Sequence, residues 1–478
     1  MRRGGWRLLA GVVVALAACG GGGEQAVERS PATSMSAPAT TTTTVVPATT
    51  GTTGAPVAAV DACPAVPPRR DPDADRPTYR VSVRVDPSSG LVEGTQAVRF
   101  VPDLPVDSLV LRLWANAPRL AAVGTSIEVG DVRVGDEVRP TRQPEPTTLV
   151  VELGRWAAPG EAIDLSLGWR LEVGGPVNDR ISRQADSLRL GSFAPLLAWE
   201  PGVGWAVEPP TSGFAESTTS PTADWDLEVE GPEGWGVVAS GVEVSPGRWR
   251  AEAARDVAVA VGRFTTATAT AAAPDPVTVS VSVHDGVDDP NRYLGRVVAA
   301  LEAFAERYGP YPWPTYHLSI TPELSGGIEF PMHVLQGSDT AGRTTSHEVA
   351  HMWFYGLVGN DQGRDPWLDE GLATWAEGRF EGTLPDMAAR AIPADGAGRA
   401  AEPMTYWEAR SASYYRSVYV QPAAALSRLD DELVDCALAH YVATNAHTIA
   451  TPQDLWASLD ATFVDWRSAL APAGLAGR

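Results

Sequence analysis

His347 and His351 stand four residues apart with Glu348 between them, in the pentad HEVAH. On a helix, residues four apart project from one face with Cβ atoms about 5–6 Å apart, a spacing that suits two corners of a metal tetrahedron. Glu348 is rotated off that face. It can reach a water at the metal without being a ligand. A catalytic zinc keeps three protein ligands and leaves its fourth position to water, so a third ligand must arrive from elsewhere, and Glu370 is the natural candidate. A competing reading makes Thr345 and Glu348 a capping box, with Glu348 tying down a helix start. The second carboxylate favours the metal.

The intervening sequence suits that geometry. Gly356, Gly359, Gly363 and the polar run from Asn360 to Asp365 break the first helix. Asp365 and Pro366 form an N-cap and first-turn pair for a second one, with Glu370 early in it.

HEVAH followed, after eighteen intervening residues, by Glu370 within WLDEGLATWAE resembles the signature of the gluzincin zinc aminopeptidases, the family of aminopeptidase N and leukotriene hydrolase. The resemblance implies one zinc per chain on His347, His351 and Glu370, with Glu348 as general base. It also implies a multidomain fold: an N-terminal antiparallel, saddle-like β domain and a thermolysin-like α+β catalytic domain. Residues 223–241, ADWDLEVEGPEGWGVVASG, resemble part of that β domain.

The run Gly326-Gly327-Ile328-Glu329-Phe330 matches the family's GxMEN motif in part, with Ile and Phe in place of Met and Asn. By resemblance it forms a sheet edge lining the cleft, where Gly326 and Gly327 present backbone to an extended peptide and Glu329 holds its free α-ammonium. The chemistry demands such a group, because an ammonium in a desolvated cleft requires a carboxylate partner. In the family the β domain lends a second amine-holding group, for which the sequence offers no position. Tyr419 corresponds to the transition-state tyrosine and Tyr414 to its companion, although Val420-Gln421-Pro422-Ala423 replaces the usual Lys and Gly. Tyr415 is the alternate donor.

The function implied is a metallopeptidase that removes N-terminal residues from peptides. Two alternatives stay open: an endopeptidase or other hydrolase on the same metal site, and a non-catalytic zinc-containing surface protein that binds a peptide or partner.

The net charge of -22 argues against nucleic acid or an anionic lipid surface as partner. Every basic residue is Arg, which excludes lysine Schiff-base chemistry. Arg2, Arg3 and Arg7 precede the apolar run Leu8–Ala18, which is too short to span a bilayer. Leu16-Ala17-Ala18-Cys19 resembles a bacterial lipobox, implying a signal peptide over 1–19, lipidation of Cys19, and display on the outer face of the cell membrane through that anchor alone. An ordinary signal cut after Ala18 is the alternative. Residues 20–75, rich in Thr, Pro, Ala and Ser, read as a disordered tether.

Residues 76–272 alternate in short runs such as Tyr79–Val85, Gln96–Val101, Ile163–Trp169 and Asp226–Val229, and read as the β domain. Its tryptophans Trp199, Trp205, Trp225 and Trp235 read as packing. Residues 273–478 read as the catalytic domain, with a helix after Pro290 bearing Leu294, Val297, Leu301 and Phe304 on one face. His317 and His333 read as surface or packing histidines, and residues 388–412 as a loop over the cleft. A chain ending at 478 leaves no room for the large helical C-terminal domain of many family members, and implies a more open cleft. Cys63 and Cys436 allow either a disulfide or a small buried thiol at 436.

Overall fold

Thr78–Asp86 alternates exposed and buried residues along its whole length, and Leu91–Phe100 carries the same pattern, as strands with one wet face must. The computed structural model describes residues 61–477 apart from 185 and 214–218. The signal peptide, the Cys19 lipidation site and the first part of the tether lie outside the described residues. The two strands sit at the centre of an eight-stranded sheet, antiparallel except where Thr78–Asp86 runs parallel to Ala223–Glu230. Two four-stranded sheets, centred on Ala258–Gly262 with Ser187–Gly191 and on Val106–Arg112 with Thr148–Ala157, share its apolar core. Trp225 stacks on Tyr79 at 3.9 Å, and the Tyr79 hydroxyl accepts from Leu197 N.

The C-terminal region is α+β. Its sheet has five strands in the order Phe264–Ala272, Pro276–His284, Thr315–Thr321, His333–Gly337 and Gly327–Phe330. Phe264–Ala272 pairs along its full length with Pro276–His284, so the boundary expected after residue 272 falls before 264. Its alternation FTTATATAA is a strand pattern in either domain, and only the pairing partner tells which. Helix Asn291–Tyr308 connects the parallel strands Pro276–His284 and Thr315–Thr321 and buries Tyr293, Val297, Leu301 and Phe304. The helix carrying HEVAH, Arg343–Ala350, follows the edge hairpin, and helix Trp367–Glu381 packs on it.

Residues 61–75 are not tether. Ala62 N donates to Thr462 O, Arg70 N to Ala443 O, and Arg69 Nη1 to Pro310 O. His440 Nε2 meets Pro64 O, and a disulfide joins Cys63 to Cys436. Prolines suit this strap, because a segment outside any sheet needs few N–H donors. Residues 388–412 are partly helical rather than a bare loop, with Met404–Trp407 helical and Glu408 reaching across to Ser212.

Candidate active site

The HEVAH helix begins at Arg343 with Gly342 as N-cap and no side-chain cap, so the capping-box reading of Glu348 fails. His347 and His351 project together, their Nε2 atoms 3.1 Å apart. Helix Trp367–Glu381 starts with Pro366 as its cap, one residue later than the Asp365 cap expected. It brings Glu370 Oε2 to 3.2 Å from His347 Nε2 and 3.3 Å from His351 Nε2. Three ligand atoms this close suit a shared cation. Ligands about 2.0–2.1 Å from a tetrahedral zinc stand about 3.3 Å from one another, so the two nitrogens and one oxygen fit that ion.

The rings are held from behind. His351 Nδ1 lies 3.0 Å from Phe354 O, which makes it the donor and leaves Nε2 as a lone pair facing inward. His347 Nδ1 lies 3.3 Å from Glu377 Oε2, and Glu377 also accepts from Arg343 Nε. Burial disfavours the His347 cation, but Glu370 and Glu377 outweigh it and hold the ring at about 9. Burial likewise opposes ionisation of Glu370, yet the two imidazoles keep it at about 2.

Glu348 is buried beside the ligands, and desolvation lifts its carboxyl to about 7 against the pull of His347 and His351. Its Oε2 is a buried acceptor that no protein donor satisfies, where an attacking water would be received. A Cβ at Gly327 would lie 2.3 Å from Glu348 Cδ, so the edge-strand backbone runs directly against this carboxylate. Gly326 turns the chain into that strand at φ +89°, a conformation that favours glycine.

Gly327–Phe330 is the sheet's outer strand, paired on one side only with His333–Gly337. Alternation sends Ile328 and Phe330 into a cluster with Ala258, Ala260, Leu324 and Leu335, and Glu329 to the opposite face. There its carboxylate, with those of Glu348 and His351's ring, forms a set of ligand-capable atoms all within 4.8 Å of one another. The Phe in place of the family's Asn is thus a packing residue. It seats the edge strand on the β domain at Gly191, where a Cβ would lie 2.2 Å from Phe330 Cζ.

Tyr415 and Tyr419 lie on a π-helical turn, Tyr415–Val420, with Tyr414 as its N-cap, the kind of local widening common at functional sites. Pro422 supplies no N–H to this turn, and Gln421 Nε2 instead donates to Ser417 O. Tyr419 stacks on His347 at 5.8 Å, and its hydroxyl donates to Glu370 Oε1 at 2.5 Å. Tyr415 points away, its hydroxyl accepting from Arg343 Nη2. Tyr414 packs edge-on against Tyr419 at 5.6 Å, with burial and then Glu370 raising its phenol well above the usual range.

Sequence reasoning missed Glu377, Arg343 and Asp369, whose Oδ1 accepts from Glu370 N and whose Oδ2 accepts from Gln362 Nε2. Glu377 carried a signal, standing two helical turns after Glu370 on the same face. His317 and His333 are packing residues bound to Ser280 and Ser319.

Residues 293–467 match the peptidase family M1 domain. Over that stretch the chain is similar to peptidase family M1. The chain is 36% identical over 84 residues to the leukotriene A-4 hydrolase of Xenopus laevis, covering 16% of this chain and 14% of the relative. It is 31% identical over 100 residues to the aminopeptidase B of Mus musculus, covering 19% and 15%. The chain therefore spans about one seventh of the length of the curated relatives it matches. Among solved structures it resembles the M1 zinc metallopeptidase of Deinococcus radiodurans, with TM-score 0.62 at 18% identity over 84% of this chain and 95% of that one. A two-domain M1 zinc metallopeptidase variant bound to L-arginine gives 0.64 at 19% over 84% and 94%. At such identities the likeness is one of fold, and it extends through both domains. The domain match, with the likeness to solved zinc metallopeptidases, implies one zinc ion per chain.

Proposed function

We propose that this chain is a zinc aminopeptidase, with zinc held by His347, His351 and Glu370. The observation that carries the reading is Glu329, a buried carboxylate on the cleft-edge strand, beside both Glu348 and His351. A peptide laid along Gly327–Phe330 pairs with its free edge, and Glu329 receives the α-ammonium about one residue from the metal. Such spacing selects the first peptide bond. When bound, zinc polarises the scissile carbonyl and acidifies the attacking water. Glu348 takes the proton of that water through Oε2 and delivers it to the leaving amine. Tyr419 swings its hydroxyl from Glu370 to the oxyanion as the carbonyl carbon becomes tetrahedral.

The test offers aminoacyl reporter amides, free and N-acetylated, to the zinc-loaded protein, with Glu348→Gln as blank. Release from the free series alone is expected, and Glu348→Gln is expected to keep zinc and lose turnover. Equal cleavage of the acetylated series establishes the endopeptidase reading instead, and zinc binding without any cleavage establishes the binding protein.

We further propose export and lipid anchoring through Cys19. The leader supports this, as does the Cys63–Cys436 disulfide, a bond at home in an oxidising compartment. Labelled palmitate should enter the wild type and not Cys19→Ala; an unlabelled soluble form refutes it.

A further inference from the structure

The loop between strands Arg248–Ala254 and Ala258–Gly262 of the β domain sends one side chain into the catalytic domain. Arg255 is 3% exposed, and its guanidinium donates to three backbone carbonyls: Nε to Tyr355 O at 2.7 Å, Nη1 to Ser220 O at 3.1 Å and Nη2 to Thr448 O at 3.0 Å. Burial lowers its pKa only to about 10, so it stays charged at neutral pH. The neighbouring Asp256 fixes the loop from the other side, accepting from Ser192 Oγ and Val257 N.

Tyr355 has φ +130°, a backbone conformation that residues with a Cβ avoid and hold only when their surroundings impose it. Its N–H donates to Val358 O at 2.8 Å, and the Arg255 guanidinium lies 5.9 Å from its ring centroid. Immediately before it, Phe354 O is the acceptor for His351 Nδ1. Gly359, whose N–H shares the Thr448 carbonyl with Arg255, has no room for a side chain: a Cβ would lie 2.1 Å from Arg255 Nη1. The cradle is shaped for the guanidinium.

We infer that Arg255 is a positioning residue for the metal: by pinning the Tyr355 carbonyl it fixes the Phe354–Val358 turn, whose carbonyl orients the imidazole of His351. The β domain thereby completes the zinc site without touching the ion. This inference rests on the reading of His351 as a zinc ligand. A partner that orients a metal-bound histidine is worth about 10–100-fold in metal affinity, and Arg255 acts one peptide further back.

The experiment measures zinc release from the full chain into a chromophoric chelator, and the visible spectrum of the cobalt-substituted protein. The variants are Arg255→Met, Arg255→Lys, Gly359→Ala and, as a control for general destabilisation, Leu109→Ala in a distant β-domain sheet. Release is expected to be about tenfold faster or more in Arg255→Met and Gly359→Ala. Arg255→Lys should fall between, because an ammonium keeps the charge but cannot span the three carbonyls. The cobalt spectrum should change with Arg255→Met and stay unchanged in Leu109→Ala despite its lower melting temperature. If Arg255→Met does not fold, Arg255→Lys and Gly359→Ala carry the test. Wild-type release rates and cobalt spectra in the folded variants overturn the inference, as does equal acceleration in Leu109→Ala. If His351→Ala binds zinc as tightly as wild type, the ligand assignment itself falls, and the inference with it.

Discussion

Tyr419→Phe separates two things a phenol beside a zinc site can do. The ring is held by contacts that Phe preserves: it stacks 5.8 Å from His347, and its centroid lies 5.6 Å from that of Tyr414 and 5.1 Å from that of Tyr415. Only the oxygen is lost, and with it the 2.5 Å hydrogen bond to Glu370 Oε1. A bond to an ionised partner contributes about 1.5–3 kcal/mol, but Glu370 keeps its contacts with both imidazoles, so zinc should stay bound. In the transition state a preorganised donor to the oxyanion is worth about 3–4 kcal/mol. The expected result is kcat lower by about 10²–10³-fold, KM changed little, and one zinc per chain by elemental analysis. Tyr415→Phe should leave kcat near wild type, because its hydroxyl is engaged by Arg343 on the side away from Glu370. A wild-type kcat in Tyr419→Phe, or a larger loss in Tyr415→Phe, refutes the assignment. Loss of zinc from Tyr419→Phe would show that the hydroxyl serves the ligand rather than the oxyanion.

Zinc and protons compete for His347: with the ring held at about 9 by Glu370 and Glu377, lowering the pH from 9 towards 6 should weaken zinc binding by up to about tenfold per unit for each proton displaced. Chelator competition checks this, and a flat profile contradicts it. Asp435 accepts from Tyr308 Oη, Trp375 Nε1 and Arg379 Nε, tying three helices together. Asp435→Ala leaves a largely buried arginine short of its partner, and should cost about 3–5 kcal/mol in urea unfolding; a loss below about 1 kcal/mol would show that Asp431 and Glu432 substitute for it. Replacing both Cys63 and Cys436 by Ser should free the strap, costing about 2–5 kcal/mol and opening residues 61–75 to limited proteolysis. Unchanged protease resistance would mean that the backbone bonds to Thr462 and Ala443 suffice.

The elements and residues legible in the sequence are those whose physics is local. Helical spacing fixed the relation of His347, Glu348 and His351, alternation marked Thr78–Asp86 and Leu91–Phe100, and the apolar face after Pro290 marked Asn291–Tyr308. Glu370 was found through the gap between two helices, a longer step that the resemblance reinforced. What stayed hidden depends on partners far along the chain. Nothing in FTTATATAA says which sheet it joins, and of the two readings the sequence leaves open for Cys63 and Cys436, only the position of helix Asp431–Asn445 decides for the disulfide. Phe330 looked like a damaged motif from sequence alone. Its role shows only when Gly191, from another domain, lies against it.

On the aminopeptidase reading proposed above, charge gives a reason, independent of motif, for cleavage to require a free amino terminus. Glu329, Glu348, Glu370 and Glu377 crowd around one metal position and are all largely out of water. Arg343 answers Glu377, and a dication answers two of the remaining three carboxylates. One negative charge is left over in a region where an uncompensated charge is costly. Desolvation raises the Glu348 carboxyl to about 7, and Glu348 must be ionised to accept a proton from water. A peptide's α-ammonium docked at Glu329 supplies the missing positive charge at that moment, so substrate binding and activation of the base favour each other. An acetylated terminus fills the same space without the charge. Discrimination between free and blocked substrates should therefore show in kcat as well as in KM.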